Sequence, residues 1–185
     1  MDTEKSSCLS APMDNPIFPG GMLVSQPFSC SHDQHDHCVD AALTAAERLC
    51  REQRLRLTPL RRKILTLIWQ SHRPVGAYDL LEILQKEGRA APPTVYRTLD
   101  FLLESGLVHR LATRNAYFGC TRPGQDHAGH VLICESCHVL AEIDSADVVR
   151  QIDASADAFG FEVRRQTVEV SGLCPRCRQE ADHAC

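Results

Sequence analysis

No run of this 185-residue chain approaches the ~18 consecutive apolar residues of a membrane-spanning helix, and no basic stretch leading into a short apolar core opens it. Neither a membrane protein nor an exported one is expected, and the cytosol is the expected compartment. The metallohydrolase signatures H-E-x-x-H and H-x-E are also missing, so a zinc-activated water would have no general base set beside it. An enzyme with a small-molecule substrate is therefore not expected. Residues 1–39 lack any sustained apolar periodicity, and the whole chain lacks an excess of positive charge, its formal net charge being −4.

That net charge conceals an uneven distribution. Residues 1–40 hold one Lys or Arg against six acidic residues, residues 41–112 hold 12 against 7, and residues 113–185 hold 7 against 11. The middle part is thus basic between two acidic ones, and a local basic block concentrates attraction for phosphate. With 43% hydrophobic and 24% charged residues the rest is an ordinary folded composition. Ten cysteines in a reducing compartment read as metal ligands or redox pairs rather than as a disulfide framework.

The expected fold class is α+β: an N-terminal winged-helix DNA-binding domain followed by a small α/β dimerisation domain. Residues 1–39 form a flexible tail containing CSHDQHDHC, where Cys30, His32, His35, His37 and Cys38 could scavenge metal. Residues 40–119 form the winged-helix domain with its hinge, and residues 120–185 the dimerisation and metal-binding domain. A helix begins at Val39, and Thr58-Pro59 starts a second, whose inward residues are Ile64, Leu65, Leu67 and Ile68. A third runs from Ala77 to Gly88. A fourth runs from Pro93-Thr94 to Gly106, with Val95, Leu99, Leu102 and Leu103 on one side and Tyr96, Arg97, Asp100 and Glu104 opposite. Leu107 to Leu111 and Asn115 to Gly119 then form a hairpin, the wing. In the second half two short strands, a helix from Ser145 to Phe159 and an alternating strand from Phe161 to Val170 make a β-β-α-β module.

In a winged helix the helix before the wing leads into the major groove with its N-terminal residues, here Thr94, Tyr96 and Arg97. Arg97 offers bidentate bonds to guanine or phosphate, and Tyr96 a ring and a hydroxyl. Arg61 and Arg62, at the start of the second helix, add to this basic face. The alternative is that Arg97 pairs with Asp100 or Glu104 on a solvated face.

Two ligand sets are threaded through residues 109–177. Cys134-x-x-Cys137 and Cys174-x-x-Cys177 flank the small module, and four thiolates at that spacing suit a closed tetrahedral Zn²⁺. The alternatives are a thioredoxin-like redox pair or an iron–sulfur cluster. His109, Cys120, His127 and Glu142 could close a second site among themselves, and one thiolate among nitrogen and oxygen donors favours zinc over iron. Singly, each has a plainer role: a wing histidine near phosphate, a core thiol, a loop histidine, a surface carboxylate.

LTPLRRKIL, GAYDLL, APPTVYRTLDFLLESGLVHRL, CESCHVLAE and GLCPRC occur in this order across residues 41–180. Together they resemble the ferric uptake regulator family of metal-dependent repressors, and within it the zinc uptake regulator branch. The resemblance implies a homodimer on an AT-rich palindromic DNA operator that represses zinc-uptake genes when zinc is plentiful. It implies DNA contacts from Tyr78, Tyr96 and Arg97, a structural zinc on Cys134, Cys137, Cys174 and Cys177, and a regulatory zinc on His109, Cys120, His127 and Glu142. The His-rich run of iron-sensing relatives is thinned to His127 and His130, which could exchange as the regulatory ligand. Arg165 stands where many relatives place a histidine in the late strand, against a third internal site. An iron or peroxide sensor of the same family is the alternative, with a zinc-buffering protein behind it.

Overall fold

The computed structural model describes residues 35–70, 72–88, 91–125, 127, 129–143 and 145–182. Twelve elements follow in order: α1 (His35–Glu52), α2 (Pro59–Trp69), β1 (Val75–Gly76), α3 (Ala77–Lys86), α4 (Pro92–Glu104), β2 (Val108–Leu111), β3 (Ala116–Gly119), β4 (His130–Cys134), β5 (Leu140–Ile143), α5 (Ala146–Asp157), β6 (Glu169–Gly172) and α6 (Pro175–Asp182). They build two three-stranded sheets, β1-β3-β2 and β5-β4-β6.

Local chemistry sets most boundaries. Thr58 caps α2 by accepting from the Arg61 N–H, with Pro59 in the first turn. The Asp79 carboxylate accepts from the Gly76 N–H at 3.1 Å and closes the start of α3. Past the end of α4, Gly106 takes φ +67°, its N–H bonds to the Leu103 carbonyl, and the Leu107 N–H bonds to Leu102. A left-handed residue is required there, which glycine supplies without a steric penalty. That turn reverses the chain directly into β2.

The helical half closes over Leu43, Ala46, Leu49, Ile64, Leu65, Ile68, Leu80, Leu84, Val95, Leu99 and Leu102. These are the inward positions of the 3.6-residue pattern, except that Thr98 is buried on α4 in place of Leu103 and turns its hydroxyl onto the Thr94 carbonyl at 2.8 Å.

Four elements differ from the sequence expectation. Helix α1 begins at His35, four residues before the apolar pattern, and so takes in His37 and Cys38; Cys30 and His32 lie outside the described residues. The strand expected over Phe161–Val170 is confined to Glu169–Gly172. β6 runs parallel to β4 with Glu169 opposite Val131; the Val168 carbonyl still accepts from the Val131 N–H at 2.8 Å, and the residues before it lie beyond the end of β4. The two-residue β1 and helix α6 are additions that no periodicity marks, being too short to display one.

The two sheets meet through side chains that strand alternation selects. On β2, His109 and Leu111 share a face; Phe118 lies opposite His109 in the pairing and shares that face. On the other sheet Leu140 and Glu142 share a face, with Val131 opposite Glu142 and Ile133 opposite Leu140. Leu111, Phe118, Val131, Ile133 and Leu140 form one buried apolar cluster. Its neighbours at the same junction are polar, and they are the second ligand set. Two hydrogen bonds add to this junction: the Leu140 N–H to the His72 carbonyl at 2.7 Å, and the Ala112 N–H to Glu169 Oε1 at 2.8 Å.

Candidate metal centres and nucleic-acid face

The four cysteines of the first set converge at the end of the second sheet, their sulfurs all within 4.8 Å of one another. Cys134 closes β4, hydrogen-bonded beside Gly172 of β6, and Cys177 sits in the first turn of α6. Sulfurs of a tetrahedral zinc with Zn–S near 2.3 Å are separated by roughly 3.8 Å, and Cys137 Sγ lies 3.7 Å from Cys174 Sγ. Burial works against the Cys134 thiolate, yet the backbone N–H groups of Cys137, Cys174 and Ser136 outweigh it and hold this thiol down to about 6. Burial together with the neighbouring sulfurs pushes Cys137 up to about 11. A cation here displaces protons from the remaining thiols as it binds.

The second set joins the two sheets. His109 comes from β2, Cys120 directly follows β3, His127 lies on the loop before β4, and Glu142 lies on β5. Their donor atoms also fall within 4.8 Å of one another. His127 Nε2 stands 2.7 Å from Glu142 Oε1, 3.2 Å from His109 Nε2 and 3.4 Å from Cys120 Sγ, while His109 Nε2 stands 2.9 Å from Glu142 Oε1. A tetrahedral zinc would separate such donors by roughly 3.3–3.6 Å, so a spread of a few tenths of an ångström admits the ion. The tautomer points the same way: His127 Nδ1 donates to the Gln125 carbonyl at 2.8 Å, which turns the Nε2 lone pair toward Glu142. Two lone pairs at 2.7 Å repel unless a proton or a cation lies between them.

Electrostatics agree with a cation site. Burial opposes ionisation of Glu142, but hydrogen bonds from His109 and from the Thr121 N–H and hydroxyl overcome it and hold the carboxyl down to about 2. Burial, and then the Glu142 charge, push the Cys120 thiol up to about 12. The Glu142 side chain is only 2% exposed and is anionic at neutral pH. His130, the alternative ligand, is buried elsewhere, its Nδ1 accepting from the Val168 N–H at 3.1 Å.

Three residues that shape this set carried no sequence signal. Thr121 bonds Glu142 Oε2 twice, from its N–H at 2.8 Å and its hydroxyl at 2.7 Å. The Gln125 carbonyl fixes the His127 tautomer. Gly129 leaves room for the His109 ring, since a β-carbon there would lie 2.9 Å from His109 Nδ1. Each acts across the fold, where spacing along the chain says nothing.

The expected nucleic-acid face divides. Tyr78 is 74% exposed and Tyr96 40%, with their phenols hydrogen-bonded; Arg97 is exposed and donates to the Pro93 carbonyl of its own helix at 3.3 Å. Thr94 is half-buried. Arg61 and Arg62 are occupied within the chain. The Arg61 guanidinium lies 3.3 Å above the centre of the Phe101 ring and donates to the Arg56 carbonyl at 2.6 Å, and Arg62 pairs with Glu47.

The sequence profile of the ferric uptake regulator family matches residues 52–171. The chain is 39% identical over 137 residues to the zinc uptake regulation protein of Escherichia coli, covering 73% of this chain and 80% of that protein. It is 32% identical over 128 residues to the zinc uptake regulation protein of Mycobacterium tuberculosis, covering 67% and 95%. Among solved structures it is similar to holo XcZur, with 45% identity, a TM-score of 0.70 and coverage of 76% of this chain and 99% of the other. A zinc uptake regulator complexed with zinc and DNA matches at 36% identity and TM-score 0.72, over 80% and 98%. Profile, relatives and architecture agree that this chain belongs to the ferric uptake regulator family.

Proposed function

We propose that the protein is a zinc-responsive transcriptional repressor, a zinc-bound homodimer that binds AT-rich palindromic operators and lowers expression of zinc-uptake genes. The observation that carries this reading is the placement of His109 on a wing strand, Cys120 just past the other, and His127 and Glu142 of the neighbouring module, at the junction of the two sheets. Cys134, Cys137, Cys174 and Cys177 are assigned a structural zinc and the junction set a regulatory one. Residues 40–119 then act as the DNA-reading part and residues 120–185 as the dimerising part. The compartment proposed is the cytoplasm; among the described residues no helix is long and apolar enough to cross a membrane.

Held by His109, Cys120, His127 and Glu142, a zinc ion would supply a cationic centre between wing and module; the chain's residues decide what that accomplishes. His109 and Cys120 fix the two wing strands, while Glu142 and His127 fix the module, so binding selects one angle between them. Moving such an equilibrium from 1:99 to 99:1 takes about 5.5 kcal/mol of differential affinity. Four-ligand zinc binding, at ~10 kcal/mol or more, supplies this if the open form loses two ligands. Four protein ligands leave no position for a reactive water, in keeping with a regulator rather than an enzyme. Tyr78, Tyr96 and Arg97 would then meet DNA, Thr94 supporting them from the first turn of α4.

The second copy has a surface to meet. Helix α5 buries none of its residues, and Phe159 and Phe161 beyond its end are 89% and 65% exposed. Exposed aromatic rings at the edge of a half-covered helix are what an isologous dimer would bury.

The test is an operator-binding titration in buffered zinc. The parent chain should bind only above a threshold of free Zn²⁺, and Cys120→Ser and His109→Ala should abolish that dependence while keeping the four-thiolate zinc. Full zinc-dependent binding by both variants would overturn the junction site, and activation by Fe²⁺ but not Zn²⁺ would assign the protein to iron sensing.

A further inference from the structure

We infer that Thr121 is a specificity-determining positioning residue, which holds Glu142 as a one-oxygen ligand and so keeps the junction site four-coordinate. This rests on the zinc reading above and deepens it. A carboxylate oxygen has two in-plane lone pairs. Glu142 Oε2 accepts two hydrogen bonds from Thr121, one from its N–H at 2.8 Å and one from its hydroxyl at 2.7 Å. Only Oε1 remains, and it faces His127 and His109 at 2.7 and 2.9 Å. The Glu142 side chain is 2% exposed, so its oxygens depend mainly on protein donors for their hydrogen bonds.

The consequence concerns which ion the site accepts. Two imidazoles, one thiolate and one carboxylate oxygen make four donors, the number zinc prefers. Ions that favour five or six ligands, Mn²⁺ and Fe²⁺ among them, gain from a carboxylate that can turn and bind through both oxygens. Thr121 denies them that turn. The hydroxyl is the part a sequence can alter, since any residue but proline supplies the N–H.

Thr121 is exposed on its outer side, so Thr121→Val, of the same shape, is expected to fold. The full chain, with zinc retained on the four cysteines, is titrated with Co²⁺, Zn²⁺ and Mn²⁺ under buffered conditions. The parent should take up one Co²⁺ at the junction with the intense visible bands of a four-coordinate ion and the charge-transfer band of a single thiolate. Thr121→Val should show weaker, higher-coordinate bands and bind zinc about 10-fold less tightly, as outer-shell changes do, with a smaller loss for Mn²⁺. Thr121→Ser, which restores the hydroxyl, should recover the parental spectrum. An unchanged spectrum and an unchanged zinc-to-manganese ratio in Thr121→Val would overturn the inference. So would a serine variant that behaves like valine. A parent chain that takes up no Co²⁺ beyond the four-thiolate site would overturn the junction site itself and this inference with it.

Discussion

Replacing Gly129 by alanine perturbs the junction site from the backbone, without touching a ligand. The added β-carbon would stand 2.9 Å from His109 Nδ1, 3.2 Å from Cε1 and 3.3 Å from Cγ. All three fall inside the ~3.5–4.0 Å of ordinary contact between heavy atoms. Because Cγ is the root of the ring, rotation about χ2 cannot relieve every contact, and the imidazole must translate by about half an ångström. The Phe118 ring, 5.3 Å away between centroids and tilted by 35°, restricts that movement. His109 Nε2 then leaves its place 2.9 Å from Glu142 Oε1 and 3.2 Å from His127 Nε2. Misplacing one ligand in four by this much should weaken zinc at the junction about 10- to 100-fold, on the scale seen for outer-shell changes, or ~1.4–2.7 kcal/mol. Competition with a chelator of known affinity measures it, with the four-thiolate zinc and the circular dichroism as unchanged controls. Zinc affinity within twofold of the parent would refute the steric reasoning.

Other expectations follow from single contacts. Glu169→Ala removes the acceptor for the Ala112 N–H and the Thr113 hydroxyl at the wing turn, contacts that are solvent-exposed; a loss of ~1 kcal/mol, or roughly 2–4 °C in Tm, together with weaker operator binding, is expected. Arg61→Ala should lower stability by ~0.5–2 kcal/mol, as a lost cation–π contact does, and leave base preference unchanged, whereas Arg97→Ala should abolish site-specific binding with little change in Tm; matched melting curves and operator titrations separate the two. For the chain stripped of its junction ion, Glu142 has its pKa lowered from 4.5 to about 2. A depressed acid stabilises the fold above its unfolded value, and that stabilisation, at most ~3 kcal/mol, is lost as pH falls from about 4.5 to about 2. Denaturant unfolding across that window should show a steeper loss for the parent than for Glu142→Gln.

The residues tell how far each kind of inference reaches. Thr58-Pro59, the leucine spacings of α2 and α4, and Gly106 encode helices by interactions within a few residues, so periodicity and capping chemistry read them directly. Phe161–Val170 alternates like a strand, but a strand needs a partner, and the residues before Val168 lie beyond the end of β4. Arg61 and Arg62 look like a nucleic-acid face in sequence. Only packing reveals that Phe101 and Glu47 lie within their reach.

The candidate ligands and the order of the elements are legible in the chain as written. Two C-x-x-C pairs and a His/Cys/His/Glu series, in a recognisable run of motifs, are properties of the chain as written. How those candidate ligands come together follows from the packing of the two sheets. Antiparallel pairing turns His109, Leu111 and Phe118 to one face and Leu140, Glu142 and Val131 to another, and where the faces meet an apolar cluster lies beside the polar one. The separation of His127 from His130, the grip of Thr121 on Glu142 and the room that Gly129 leaves for His109 all arise at that meeting. They depend on distances in space between residues as far as 21 positions apart, which no local pattern encodes.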